Sequence, residues 1–321
     1  MDGLDGLLNR RPPTPWEQFI SSPILYLAHW LYAPVVLPPL SESPSAGPDG
    51  KLNPIRIVCI SDTHNSHRSQ PPLPNGDILI HAGDLTQSGS REELEDALDW
   101  LNSQPHPHKL FVAGNHDVAL ASRDEDEGQG VVIPRGLTYL EDSSVELTVR
   151  GRNLRVYGSP WTPKHGSWPF QYPRVQPSSY SPSSGDQATA TWSAIPPLTD
   201  ILITHGPPLA HLDTDGRYGC YALLRALWRV RPRVHVFGHC HAGRGVQRVR
   251  WDEAQEVYEE VCAGRVGWVG LVWLVWYRVM GWVRGKGRAR GVREEGTVLI
   301  NASAVQGARD DERAGAIVVE I

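Results

Sequence analysis

Cysteine is scarce and unpatterned in this chain of 321 residues: Cys59, Cys220, Cys240 and Cys262 show no CxxC spacing. That excludes a disulfide framework or a zinc ribbon, and free buried thiols in a reducing, cytoplasmic compartment are expected instead. An excess of positive charge is also missing. With 31 basic against 36 acidic residues the formal net charge is −5, so the molecule as a whole exerts no pull on nucleic acid or anionic lipid. No specific nucleic-acid partner is expected, and any such contact needs a local basic patch. The N-terminal stretch lacks the pattern of a secretory signal: Asp2 and Asp5 precede Arg10-Arg11, and the apolar run beyond is broken by Pro23, Pro34, Pro38 and Pro39. No internal repeat is visible. What is present is ordinary for a soluble globular protein with a real core, 40% apolar and 21% charged residues.

The 31 Gly and 27 Pro together make about 18% of the chain, against a usual ~12%, which predicts long irregular loops. Residues 1–50 read as an N-terminal extension. Within it, 1–15 and 41–51 are rich in Pro, Gly, Ser and Asp and have the composition of loop and linker. Between them, Phe19, Ile20, Ile24, Leu27 and Leu31 recur at helical spacing, which predicts an apolar helix over 16–40. It packs on the main domain or lies on a membrane surface. Residues 51–321 read as the main domain. Short β-branched runs predict strands at 55–60, 77–80, 110–113, 145–149, 154–157, 201–204, 234–237, 246–249, 297–300 and 317–320. Leu94, Ala97, Leu98 and Leu101 mark one face of a helix over 91–102. Strands mixed with helices predict an α/β layer sandwich. The Ser/Pro-rich stretch 173–185 reads as a surface insertion.

A second insertion is expected at about 265–292. Residues 266–283 are apolar nearly all round, carry Trp268, Trp273, Trp276 and Trp282, and lead into a basic tract of Arg284, Lys286, Arg288, Arg290 and Arg293. The run is marginal against the ~20 apolar residues a spanning helix needs. It covers the N-terminal apolar segment, or it enters one leaflet with Trp at the interface and the basic tract on anionic headgroups. A membrane surface contacted through 16–40 and 266–293 is therefore carried as a candidate partner.

The chemistry-bearing residues stand just past the ends of predicted strands. Asp62 and His64 follow 55–60, and Gly83-Asp84 follows 77–80. Gly114-Asn115-His116-Asp117 follows 110–113, His205 follows 201–204, and Gly238-His239-Cys240-His241 follows 234–237. Open α/β sheets place ligand sites in that crevice. One such residue is usually a cap or a core side chain; five in order on one side of a sheet are hard to obtain from packing alone. The set Asp62, His64, Asp84, Asn115, His205, His239 and His241 offers carboxylate, imidazole and amide oxygen and no thiolate. Such mixed N/O ligation suits Mn, Fe or Zn. Seven ligands exceed the need of one open ion and suit two divalent ions bridged by one carboxylate.

The series Asp62-x-His64, Gly83-Asp84, Gly114-Asn115-His116-Asp117, His205 and Gly238-His239-x-His241 resembles the calcineurin-like metallophosphoesterases over roughly 55–321. His81-Ala82-Gly83-Asp84-Leu85-Thr86, Gly158-Ser159-Pro160-Trp161 and Thr204-His205-Gly206-Pro207-Pro208 look like its small metallophosphoesterase-domain branch. The resemblance implies a four-layer α/β/β/α sandwich with mixed sheets. It implies one ion on Asp62, His64, Asp84 and His241, and a second on bridging Asp84, Asn115, His205 and His239. His116 would then stand beside the phosphoryl group as proton donor or transition-state stabiliser, with Asp117 orienting it. The implied activity is hydrolysis of phosphodiester or phosphomonoester bonds by metal-activated hydroxide on a small substrate, nucleotides included. A binding or scaffold protein of the same fold is the alternative. One departure stands out: 85–89 is Leu-Thr-Gln-Ser-Gly, without the Asp-Arg pair of the protein phosphatase branch, so a compact phosphoester fits better than a phosphoprotein. Trp161 and Trp168 are expected to serve loop packing, and His67, His165 and His211 to be solvated surface residues.

Overall fold

The runs at 56–60, 78–81, 201–204 and 234–237 become strands buried on both faces, while the strand at 143–149 alternates buried and exposed positions at a sheet edge. In the computed structural model, which describes residues 14–32, 35–36, 54–121, 131–214, 218–285, 296–306 and 312–321, they form two stacked sheets. One sheet is built from β2 (Arg56–Ile60), β3 (Ile78–His81), β4 (His108–Phe111), β5 (Thr138–Tyr139) and β16 (Ile317–Glu320), in the order β16-β2-β3-β4-β5. Its central strands are parallel, with Ile57 opposite Ile78 and Ile80 opposite Leu110, and β16 closes one edge antiparallel.

The second sheet joins β1 (Val35–Val36), β6 (Ser143–Val149), β7 (Arg152–Ser159), β10 (Ile201–Thr204), β11 (Val234–Phe237), β12 (Gly245–Val249) and β13 (Thr297–Asn301), in the order β1-β12-β13-β11-β10-β7-β6. Here β7, β10, β11 and β13 run parallel, and β1, β6 and β12 supply antiparallel pairs. Two small ribbons, β8 (Thr162–Pro163) with β9 (Gln171–Tyr172) and β14 (Val305–Gln306) with β15 (Glu312–Arg313), complete the strands.

Between the sheets lies a continuous apolar layer that includes Ile57, Ile80, Val112, Val156, Ile203, Val236, Ile300 and Ile317. Outside the five-stranded sheet α3 (Arg91–Ser103) buries Leu94, Ala97, Leu98 and Leu101, the face its spacing predicts, and Ser90 caps its start by accepting the Glu93 N–H. Outside the seven-stranded sheet α5 (Gln187–Ser193) and α6 (Tyr221–Val230) bury Trp192, Leu223, Ala226 and Leu227. The layering is thus α/β/β/α with mixed sheets. The short α4 (Val118–Ala121) follows the third motif.

The N-terminal apolar segment differs from the single helix expected. It forms α1 (Pro15–Ser21), α2 (Pro23–Tyr32) and then edge strand β1. The break falls at Ser22, with φ −156° and ψ 84°, because the ring of Pro23 disfavours helical backbone in the preceding residue. Of the loop expected at 1–15, residues 1–13 lie outside the described residues, while Thr14 caps α1 and Pro15 opens it; the linker at 41–51 also lies outside the described residues. The Trp-rich insertion forms α8 (Trp268–Gly285), which packs with α2 and α7 (Glu253–Cys262) around Ala28, Tyr258, Val261, Leu271 and Leu274. Among the described residues no helix is long and apolar enough to cross a membrane. In the 173–185 stretch the only helix is a 3-10 turn at Pro177–Ser179.

Candidate metal centre

Parallel pairing sets the site. Because β2, β3 and β4 run the same way, their following loops leave one end of their sheet, and β10 and β11 do likewise in the other. At that end Asp62, His64 and His241 form one group with ligand atoms within 4.8 Å of one another, and Asp84, His205 and His239 form a second. His64, Asp84 and His116 form a third within the same reach, so Asp84 belongs to two of the three groups. The Asp84 Oδ2 lies 3.2 Å from His205 Nε2 and 3.7 Å from His64 Nε2, and the Asp62 Oδ1 lies 3.4 Å from His241 Nε2. Asn115 joins the second group through its Oδ1, 3.1 Å from His205 Nε2. All seven residues singled out in the sequence meet here.

Ring orientation makes the donor set coherent. The Nδ1 of His64 bonds the Thr86 carbonyl at 3.2 Å and that of His205 bonds the Ala82 carbonyl at 2.9 Å. A carbonyl only accepts, so each Nδ1 donates its proton there and each Nε2 is the atom turned towards the Asp84 carboxylate, the one that would ligate an ion on losing its own proton. Burial alone would raise the Asp62 carboxyl, but His241, His205 and His64 hold it well below the usual carboxylate range. Asp84 behaves the same way beside His205 and His64. Burial would lower His205, yet the charges of Asp84 and Asp62 raise it to about 9. His239, dominated by burial, is pushed down to about 3. Two ionised carboxylates inside protein demand cationic charge. The residues present therefore fit a pair of divalent ions.

Backbone conformation explains the glycines in these motifs. Asp62, His64, Asp84 and His239 all take left-handed φ, at 53°, 42°, 54° and 67°, a conformation that costs non-glycine residues free energy and clusters at functional sites. Gly114 and Gly238 lie directly against the carboxylates: a Cβ at Gly114 would stand 2.2 Å from Asp84 Oδ1, and one at Gly238 would stand 2.0 Å from Asp62 Oδ2. The Asp62 carboxylate also accepts the His239 N–H at 3.0 Å and the Ser303 hydroxyl at 2.8 Å. Ser303 is fully buried and follows β13. It carries no motif signal; only its place next to β2, bridged to Ser61, brings it to Asp62.

The two catalytic candidates separate in role. His116 faces the centre half-exposed, its ring centroid 4.7 Å from that of His64, with Nδ1 donating to the Gln87 carbonyl at 2.7 Å. Asp117 does not orient that ring. Its buried carboxylate accepts the backbone N–H groups of Gly114 at 2.8 Å and Thr86 at 3.0 Å, and the Thr86 hydroxyl at 2.8 Å. It pins the second motif loop to the third, and the ring is directed by Gln87 instead. Burial and the nearby Asp84 charge raise the Asp117 carboxyl.

Above the ligands opens a cavity of about 590 Å³ whose wall includes Gln87, His116, His165, Arg174, Thr214 and Tyr218. Trp168 is not simply loop packing: its ring stacks on His116 at 4.4 Å with the planes 29° apart. Trp161 does serve packing, donating to Asp142 and lying edge-on to Phe170. His165 is not a solvated surface residue; its ring lies 4.6 Å from that of His239. His67 and His211 are both buried, paired with Asp96 and Glu259. Arg174, from the Ser/Pro-rich insertion, puts on the cavity wall a guanidinium that 85–89 does not provide. It is held by the carbonyls of Tyr218 and Gly219 at 3.1 and 3.3 Å.

The calcineurin-like phosphoesterase family profile matches residues 55–243. The chain belongs to that family. Among individual relatives, metallophosphoesterase domain-containing protein 1 of Homo sapiens is 40% identical over 217 residues, 60% of this chain and 62% of that protein. A protein named probable rhamnogalacturonate lyase C from Emericella nidulans is 42% identical over 330 residues, 99% of this chain but 29% of that protein. A UPF0046 protein of Caenorhabditis elegans is 38% identical over 206 residues, 60% of this chain and 65% of its own length. This chain spans less than two thirds of each of these relatives.

Proposed function

We propose that this chain is a dinuclear-metal phosphoesterase that hydrolyses phosphodiester or phosphomonoester bonds in a small substrate. The observation that carries this reading is the position of Asp84, whose carboxylate is shared by ligand groups drawn from both sheets. Asp62, His64, Asp84 and His241 would hold one ion, and Asp84, Asn115, His205 and His239 the other. When bound, the ions supply a hydroxide nucleophile near neutral pH and a clamp on phosphoryl oxygens. His116, with its Nδ1 proton committed to Gln87, presents Nε2 to the cavity and moves a proton to or from the reacting oxygen there. Arg174 and His165 line the route to the ligands and bind the remaining phosphoryl charge. Mixed N/O donors suit manganese, iron or zinc alike. The four cysteines are free, which fits a reducing compartment such as the cytoplasm.

The test is metal-reconstituted protein assayed on bis-p-nitrophenyl phosphate, with metal content measured in parallel. Wild type should hold two equivalents of metal and cleave the diester. Asp84→Asn should lower turnover by more than about 100-fold, beyond the usual loss for a residue that merely supports a ligand. Undiminished turnover in that variant would refute the shared-carboxylate reading. Two bound metals with no cleavage across a broad phosphoester panel would favour the binding-protein alternative.

A further inference from the structure

A helix that is apolar on every face belongs in a protein interior or at a lipid boundary. α8 meets only half of that requirement. Its Gly270, Leu271 and Leu274 are buried against α2 and α7. Trp268, Val269, Val272, Trp273, Val275, Trp276 and Val279 are 46–69% exposed. At 100° per residue these seven fall within a stripe about 160° wide on the side opposite Leu271 and Leu274. Arg278, the charged residue within this stretch, is turned back to the Leu31 carbonyl at the end of α2. The neighbouring helices add to the surface, with Trp16, Ile20 and Trp30 at 61–70% exposure. Ten of the fourteen large apolar side chains exposed among the described residues therefore sit on the α1, α2 and α8 cap. Patches of this kind mark interaction surfaces.

Charge selects the partner. In the sequence, residues 284–293, of which 286–293 lie outside the described residues, contain Arg284, Lys286, Arg288, Arg290 and Arg293 and no acidic residue, in a chain whose net charge is −5. Five cations, Arg284 in the last turn of an apolar, Trp-bearing helix and four in the sequence after it, complement a surface that is negative outside and apolar just beneath. Tryptophan is favoured at that boundary, and clustered Lys and Arg beside it recognise anionic headgroups. No described helix can span a bilayer, so the contact lies in the plane of the interface. We propose that α1, α2 and α8, with the basic tract after α8, dock this protein on an anionic lipid surface.

Full-length protein sedimented with vesicles tests this without reference to catalysis. Wild type should pellet with phosphatidylcholine vesicles containing about 30% phosphatidylserine at about 0.1 M salt, and not with phosphatidylcholine alone. Binding should shift tryptophan emission to the blue. The double substitution Trp273→Ala and Trp276→Ala should weaken binding at least about tenfold with an unchanged melting temperature, since both side chains are exposed. Arg288→Glu with Arg290→Glu should do the same through charge. Equal soluble fractions for wild type with both vesicle types would overturn the proposal. So would a dimer in vesicle-free solution that the tryptophan substitutions dissolve while vesicle binding stays absent, since the face would then belong to a second copy.

Discussion

Trp168 shows how much a single residue's role depends on what it covers. It was expected to pack within its loop, yet it stacks on the proposed proton-transfer residue His116. The contact fixes one face of the imidazole while Gln87 fixes its Nδ1. Trp168→Ala should lower kcat about tenfold on a generic diester with little change in KM, because a loosened ring loses alignment more than affinity. Trp168→Phe should restore most of the rate, and an unchanged kcat in the Ala variant would show the stack to be incidental. The seven ligands were legible because each belongs to a short-range signal at a strand end: a glycine next to Asp84, Asn115, His205 and His239, and an x-spaced pair that links Asp62 to His64 and His239 to His241. The glycine belongs to that signal for a steric reason, since the backbone of Gly114 and Gly238 touches the carboxylates. Ser303 and Arg174 have no such local mark, and only tertiary neighbours give them a place at the centre.

At the scale of elements, the strands were readable because continuous β-branched runs leave few other conformations open. The helix α7 was not. Its buried positions mix Gln255 and Glu259 with Tyr258, Val261 and Cys262, so polar residues on its inward face break the apolar period. Those side chains are buried as a network in which Glu259 meets His211 at 2.8 Å, Trp228 at 2.6 Å and Gln255 at 2.7 Å. Strand β11 hides a titratable group in the same way. The Thr204 hydroxyl donates to the Gly206 carbonyl at 2.8 Å and so accepts from His235 Nε2 at 2.8 Å. The other ring nitrogen of His235 is buried with no hydrogen-bond partner, and burial lowers this histidine from 6.5 to about 3. Below pH 6.5 the unfolded chain takes up a proton that the folded strand refuses, so this group's contribution to stability is lost as pH falls from about 6.5 towards 3. Between pH 7 and pH 5 His235 should account for about 2 kcal/mol of lost stability. Urea denaturation of wild type and His235→Asn at both pH values checks this, and identical losses in the two would refute it.

Across the whole molecule, the centre joins two sheets that otherwise meet through apolar packing. Asp62, His64, Asp84 and Asn115 come from the five-stranded sheet, and His205, His239 and His241 from the seven-stranded one. Ions held by both should therefore tie the halves together. Loading with metal at about 100 times the dissociation constant should stabilise the fold by about 3 kcal/mol for each site. Chelation should reverse that gain, read as a fall in melting temperature that added metal restores. A melting temperature indifferent to chelator would mean that no metal is held across the sheets. The helix α7, on which α2 and α8 pack, is tied to a loop that lines the cavity. Tyr258 on α7 donates to the Ala210 carbonyl, in the loop that leads to Thr214 on the cavity wall.

The order of motifs along the chain, the chemical types of their side chains and the strand runs before them were properties of the sequence alone. Backbone preference and ligand chemistry act over a few residues, and they were enough to specify an α/β sandwich and a mixed N/O donor set. Tertiary structure decided that Asp117 braces loops rather than the His116 ring, and that Arg174 and His165 reach the cavity. It also decided that α8 covers α2 with one face and leaves the other bare. Each of these outcomes depends on residues far apart in sequence arriving at one place, and no local preference carries that information.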